Sequence, residues 1–210
     1  MTTIALFGGS GRVGRLVLSQ ALDAGYTVRS LARSAASITA TSPHLSVIEG
    51  NVLDATAVET TIDGADVVIS VVGNVKGAPA TVQAEGTANM IAAMKQHGLT
   101  RIVSLSGGGL PFGLDKPKLP DRIIRGIMRL TVPDVLDDAI AHHKLLEGSG
   151  LDWTIVRGPV LIDGPLTSKY RVGWVGIDAG LKIGRADLAQ FILKQVTDES
   201  YRSQLPFVSY

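Results

Sequence analysis

The 210-residue chain has no cysteine. Disulfides, thiolate catalysis and cysteine-held metals are excluded, and a reducing compartment fits. No metal site is expected. The chain also lacks an excess of either charge, with 20 Lys and Arg against 19 Asp and Glu, a formal +1. Such a balance gives the whole molecule no case for nucleic acid or an acidic membrane as partner. No apolar run nears the roughly 18 residues of a membrane helix. The opening residues lack the basic region and cleavage site of a signal peptide, so a cytoplasmic location is expected. Repeats and low-complexity tracts are missing too. What remains is 45% apolar and 19% charged, the composition of one globular domain.

The informative stretch comes first. Ile4-Ala5-Leu6-Phe7 is a short apolar run, Gly8-Gly9-Ser10-Gly11-Arg12-Val13-Gly14 follows, and Leu16-Val17-Leu18 comes next. The order reads strand, tight turn, helix. Gly8, Gly11 and Gly14 fall three apart. A sharp turn, a backbone that approaches a pyrophosphate and a helix packed tightly on its strand all demand glycine. The helix N-terminus then offers free N–H groups to phosphates. A dinucleotide is therefore expected on residues 8 to 14.

The rest continues in the same rhythm. Helix one is expected from Arg12 to Ala24, with Gly25 as its stop, and Tyr26 to Arg33 as a second strand. An NAD site places an acid at the end of that strand, and an NADP site an Arg. No acid lies between Asp23 and Glu49, Arg33 sits where the choice is made, and Arg12 is in the glycine loop. NADP(H) is the expected cofactor, although a solvated surface role stays open for both arginines. His44 to Ile48 reads as a third strand, Val58 to Ile62 as a short helix, and Asp66 to Val72 as a central strand buried on both faces. Strand ends face the ligand crevice, so Asn51 and Val52 are expected near adenine, with Val72 and Gly73 near its ribose.

Ala84, Ala88, Ile91, Ala92 and Lys95 recur at helical spacing within Val82 to His97. Arg101 to Ser106 is a fifth strand. Residues 110 to 138 break the rhythm, with Pro111, Pro117 and Pro120 in a loop and an amphipathic basic stretch from Arg122 to Arg129. An insertion after a strand end is expected to be a lid or substrate loop; a solvated helix face is the alternative. Asp137 to Ser149 reads as a helix, Trp153 to Arg157 as a sixth strand, and Leu188 to Val196 as a final helix with Asp187 as N-cap. The fold class is α/β: a single-domain Rossmann fold over residues 1–210, a doubly wound, mostly parallel sheet with helices on both faces.

The glycine loop, Arg33, Gly50-Asn51-Val52-Leu53-Asp54 and Ser149-Gly150-Leu151-Asp152-Trp153-Thr154-Ile155-Val156-Arg157 resemble atypical single-domain short-chain dehydrogenases of the NAD(P)H-binding, NmrA-like type. Pro79-Ala80-Thr81-Val82, Asn89 to Lys95, His143-Lys144-Leu145-Leu146 and Gly164-Pro165-Leu166-Thr167 are similar to the biliverdin-IXβ reductase/flavin reductase group. The resemblance implies NADPH-dependent reduction of a flavin, a quinone or a tetrapyrrole. That group carries Thr then Ser at the end of its fifth strand, where Ser106 and Gly107 stand here. Where it has a His, Val160 stands. Ordinary short-chain dehydrogenases use Tyr-x-x-x-Lys; Lys144 matches the Lys, but Ile140 replaces the Tyr, which argues against alcohol–ketone chemistry and against a nucleotide-sugar epimerase. Ser106, Gly107 and Pro159 are expected around the nicotinamide. Ser106, Lys144 and His143 are the candidate catalytic groups, Lys144 on the nicotinamide ribose and His143 as a proton donor. For each of these three a plain structural role stays open. So does a non-catalytic dinucleotide sensor for the whole chain, and so does monomer or dimer.

Overall fold

The computed structural model describes residues 1–75 and 77–210. Among them the chain runs through β1 (Thr3–Phe7), α1 (Arg12–Asp23), β2 (Thr27–Ala32), β3 (Leu45–Glu49), α2 (Ala55–Ile62), β4 (Val67–Ser70), α3 (Val82–Gln96) and β5 (Arg101–Gly107). It continues through α4 (Leu119–Thr131), α5 (Pro133–Glu147), β6 (Asp152–Gly158), β7 (Val160–Ile162), β8 (Arg171–Gly173), β9 (Lys182–Gly184), α6 (Arg185–Lys194) and β10 (Phe207–Ser209). The main sheet has the order β3-β2-β1-β4-β5-β6-β10-β8, and β7 pairs with β9 apart from it. Every pairing in the main sheet is parallel except β10 with β8.

The strands are apolar because both faces of the sheet are covered. In β1, Ile4 and Leu6 join the core under α1 and α6, while Ala5 and Phe7 join the one under α2, α3 and α5. Val67 and Ile69 of β4 repeat the first choice and Val68 the second. Each large aliphatic side chain so buried contributes about 1.5–3 kcal/mol. Helix starts follow local chemistry where the sequence supplies it: the Asp54 carboxylate accepts from the amides of Thr56 and Ala57 and starts α2.

Several expectations move. The strand expected from Asp66 to Val72 ends at Ser70, and Val71, Val72 and Gly73 leave the sheet as a wall. Helix α3 buries Gln83, Gly86, Thr87, Met90, Ala93 and Met94 and leaves Ala88, Ala92 and Lys95 exposed. Small alanines say little about which face packs; the methionines and the polar partners of α5 decide it. Pro120 sits in the first turn of α4, where a missing N–H costs nothing, and α5 starts at Pro133, so two helices fill much of the expected insertion. Asp187 lies inside α6, whose N-cap is Gly184. Its carboxylate accepts from Thr167 N and Oγ1, Ser168 N and the Tyr210 hydroxyl, which ties the 164–170 segment to the C-terminal strand.

His142 of α5 is fully buried against α3 and β5. The Thr87 hydroxyl donates to the Gln83 carbonyl at 2.7 Å. It therefore accepts from His142 Nδ1 at 2.7 Å, and Nε2 accepts from the Ser104 hydroxyl at 2.9 Å. Both nitrogens are committed as a neutral ring. Burial, and then the neighbouring His143, push the His142 pKa from 6.5 down to about 3. The folded ring refuses a proton that the unfolded ring accepts, so its contribution is complete above pH 6.5 and is lost as the pH falls toward 3. Each pH unit in that window costs roughly 1.4 kcal/mol. Between pH 7 and about pH 5, urea unfolding of the wild type is expected to lose about 2 kcal/mol more than that of His142→Asn; equal losses would mean that the ring titrates normally.

Candidate cofactor and substrate site

The site begins where β1 stops. Gly8 adopts φ +86°, and a Cβ there would stand 2.8 Å from the carbonyl of Val71. Only glycine fits on both counts. The Gly11 amide donates back to the Gly8 carbonyl at 3.0 Å and closes the turn. Gly11 is the N-cap of α1, and no side chain caps that end. The first amides of α1 face the turn with a positive dipole end behind them, which suits an anion. A Cβ on Gly14 would strike the Gly8 carbonyl, and one on Gly9 would meet Ser30 Oγ.

Gly8, Ser10 and Gly11 line a cavity of about 310 Å³, together with Arg33, Asn51, Val52, Val72 and Gly73. The strand ends β1, β2, β3 and β4 thus converge on one crevice. Asn51 turns inward on its own loop, its side-chain oxygen accepting from Leu53 N at 3.1 Å. Asn89 Nδ2 holds the Val52 carbonyl at 3.0 Å. Of the remaining expected residues, Gly9, Val13 and Gly14 are buried by packing, and Arg12 is exposed. None of these four lines the cavity.

A larger cavity of about 730 Å³ adjoins the first across Val71, Val72 and Gly73. Its walls are mostly apolar. Ser106, Gly107 and Pro159 sit at its base, on the ends of β5 and β6. Ser106 is 6% exposed, and its hydroxyl has no hydrogen-bond partner. A buried hydroxyl left open in a cavity is a donor awaiting an acceptor. Gln83 Nε2 donates to the carbonyls of Leu105 at 2.8 Å and Val72 at 3.3 Å, joining the ends of β5 and β4. Asp138 of α5 accepts from the amides of Gln83 and Ala84 and so occupies the α3 N-terminus.

Helix α5 sets two of the expected residues apart from both cavities. Neither His143 nor Lys144 lines either cavity. Lys144 is exposed, and the His143 ring packs edge-on against Trp153 with centroids 5.5 Å apart. Burial holds the His143 pKa below its ordinary value. The reason is helix register. The residues of α5 that reach the cavity are Val135, Leu136 and Ala139. Descending from Ala139 to His143 moves about 6 Å away from the strand ends. None of these three wall residues carries a proton to give.

The N-terminal half of the insertion is anchored by an ion pair. Arg157, at the end of β6, is fully buried. It donates to Asp115 Oδ2 at 2.8 Å and Oδ1 at 2.9 Å, and to the carbonyls of Leu110 and Leu205. Asp115 also accepts from the amides of Phe112 and Val175. Burial works against the Asp115 charge, but the hydrogen bonds and charge of Arg157 outweigh it and hold the carboxyl below its ordinary range.

This geometry has relatives. A family model described as NAD(P)H-binding matches residues 8–199. The chain belongs to that NAD(P)H-binding family. Over 108 residues it is 37% identical to an uncharacterized protein of Mycobacterium tuberculosis, a match spanning 51% of this chain and only 12% of that protein. Among solved structures, a short-chain dehydrogenase/reductase of Veillonella parvula in complex with NADP aligns with TM-score 0.82 and 17% identity, covering 100% of this chain and 94% of that one. The anaerobilin reductase ChuY of Escherichia coli aligns with TM-score 0.80 and 20% identity, covering 100% and 97%. These two share the fold.

Among the wall groups, Gln83, Asp121 and Phe207 have no local signal in the sequence, since their approach to the strand ends is a tertiary fact, whereas Arg125 belongs to the basic stretch expected in the substrate loop. No helix among the described residues is long and apolar enough to cross a membrane. The anchor of the insertion is open to a direct test. Asp115→Ala leaves the Arg157 charge buried without its partner, and urea unfolding is expected to show a loss of about 3–5 kcal/mol. A loss below about 1 kcal/mol would mean that water or a neighbour replaces the carboxylate.

Proposed function

We propose that this protein is an NADPH-dependent reductase of a planar, electron-accepting small molecule of the flavin, quinone or tetrapyrrole kind. One observation carries the reading: a glycine cradle with an open helix end shares a wall with a large apolar cavity that ends at an unpartnered hydroxyl. The turn at Gly8–Gly14 and the uncapped start of α1 fit a pyrophosphate. Gly9, Val13 and Gly14 serve that role through packing and backbone amides. Arg33, exposed at the rim, would hold a 2′-phosphate, with Arg12, exposed on the glycine loop, as the second cation. Asn51 and Val52 would flank adenine, and Val72 and Gly73 its ribose. Bound NADPH supplies a hydride.

The residues around the acceptor have a modest task. Ser106 Oγ, unpartnered in the cavity wall, would donate to the nicotinamide carboxamide or to an acceptor carbonyl. Gly107 and Pro159 leave the base of the cavity open, and Ile124, Met128 and Leu136 offer apolar flanks to a flat ring. Arg125 favours an acceptor that carries negative charge. With His143 and Lys144 away from the cavity, the proton comes from solvent. Conjugated acceptors tolerate this, because their reduction needs placement more than a positioned acid. The anaerobilin reductase neighbour is consistent with the tetrapyrrole alternative. Residues 110–138 would act as the lid or substrate-side wall.

A second reading has its own observation. The α5 residues that line the cavity, Val135, Leu136 and Ala139, carry no group able to donate a proton, as suits a sensor that binds the dinucleotide without turnover. Oxidation of NADPH in the presence of flavins, quinones and bilins separates the two. Calorimetry with NADPH and NADH tests the cofactor half. Wild type is expected to prefer NADPH, and Arg33→Ala to lose about tenfold to hundredfold in NADPH affinity with little change for NADH, as for one charge-assisted phosphate contact. If neither dinucleotide binds, both readings fall together.

A further inference from the structure

Helix α4 presents its apolar side outward. None of its thirteen residues is buried. Leu119, Ile123, Ile127 and Leu130 are 71%, 54%, 54% and 86% exposed. At 100° per residue these four fall within an arc of about 80°. The opposite side, with Asp121, Arg125 and Met128, faces the larger cavity. Arg122 and Arg129 are exposed and flank the apolar arc along one edge. Exposed Lys116 and Lys118 lead into the helix. Residues 116–131 thus hold five of the chain's 20 cationic side chains and a single acid, Asp121. A total charge of +1 conceals this local concentration.

We propose that α4 is an interfacial helix that seats the protein on an anionic lipid surface. An aliphatic arc bordered by arginines is the composition of helices that lie in the headgroup plane, where apolar side chains enter the acyl boundary and cations meet lipid phosphates. A second copy of the chain fits less well. An antiparallel α4–α4 contact would bring the two arginine edges together, and their like charges oppose it. An internal role is excluded by direction, since the arc points away from the cavity that α4 walls. Seating α4 also places that apolar cavity on the far side of the helix from the lipid, about 10 Å away. The docking itself does not depend on the cofactor reading.

The test is co-sedimentation of the full chain with phosphatidylcholine vesicles and with equimolar phosphatidylcholine/phosphatidylglycerol vesicles. Wild type is expected to pellet with the second and not the first, and added salt to weaken the binding. Ile123→Glu/Leu130→Glu should abolish it, and Arg122→Ala/Arg129→Ala should lower partitioning about fivefold per arginine. All four positions are at the surface, so an unchanged thermal midpoint verifies the fold of each variant. Equal behaviour with both vesicles, no binding, or binding that survives the glutamates overturns the proposal. So does a lipid-independent dimer in sedimentation velocity that the glutamates dissolve, which assigns the arc to a second copy. Loss of dinucleotide binding with vesicle binding intact would strike the reductase reading and leave this one standing.

Discussion

The ligand end of this fold depends on how closely β1 and β4 run where they stop. The Gly8 backbone lies against the Val71 carbonyl, close enough that a Cβ would be 2.8 Å away, and its φ of +86° turns the chain out of the sheet. From this pair the strand order grows in two directions, to β2 and β3 on one side and to β5 and β6 on the other. Helices α1 and α3 accordingly leave toward opposite faces, and a crevice opens between their N-terminal ends. Val71, Val72 and Gly73 then wall both cavities. The glycine allows the approach, the approach makes the shared wall, and the shared wall sets the cavity of the glycine turn beside the larger apolar one.

Buried polar groups hold the loops to this frame. Asp138 caps α3 from α5, Gln83 joins the ends of β4 and β5, and neutral His142 bridges α3, α5 and β5. Arg157 and Asp115 fasten residues 110–115 to the end of β6 and to the 175 segment. Each charge in that pair is tolerable underground because its hydrogen-bonding capacity is nearly filled. Helix α4 is the inverse case: it follows immediately after the anchored stretch yet buries no residue and turns aliphatic side chains to the outside. The insertion is thus fixed at its root, while along α4 it rests on the body only through half-buried side chains such as Arg125 and Met128.

How much of this was legible depended on range. The glycine turn, Arg33 at the end of β2 and the apolar runs of β1, β5 and β6 are readable because each reflects a demand on a few consecutive residues. The three-residue strands β7, β8, β9 and β10 are not, since each exists only through partners far along the chain. Asp187 carries an N-cap signature before an apolar run, yet serves Thr167, Ser168 and Tyr210 from inside α6. The adjacent pair His142 and His143 looks equivalent in sequence; one is locked between Thr87 and Ser104, the other leans on Trp153.

By itself the sequence determined the α/β class, the turn at Gly8–Gly14, the charge at Arg33 and the amphipathic character of Arg122 to Arg129. All are set by backbone sterics, by side-chain charge or by a period of 3.6 residues. Only the tertiary structure decided that Lys144 stands in solvent, that Val135 and Ala139 reach the cavity, that Arg157 meets Asp115, and that the apolar side of α4 faces outward. A helical pattern fixes which residues share a face, but the direction of that face, and the depth of each turn along it, follow from packing against elements dozens of residues away.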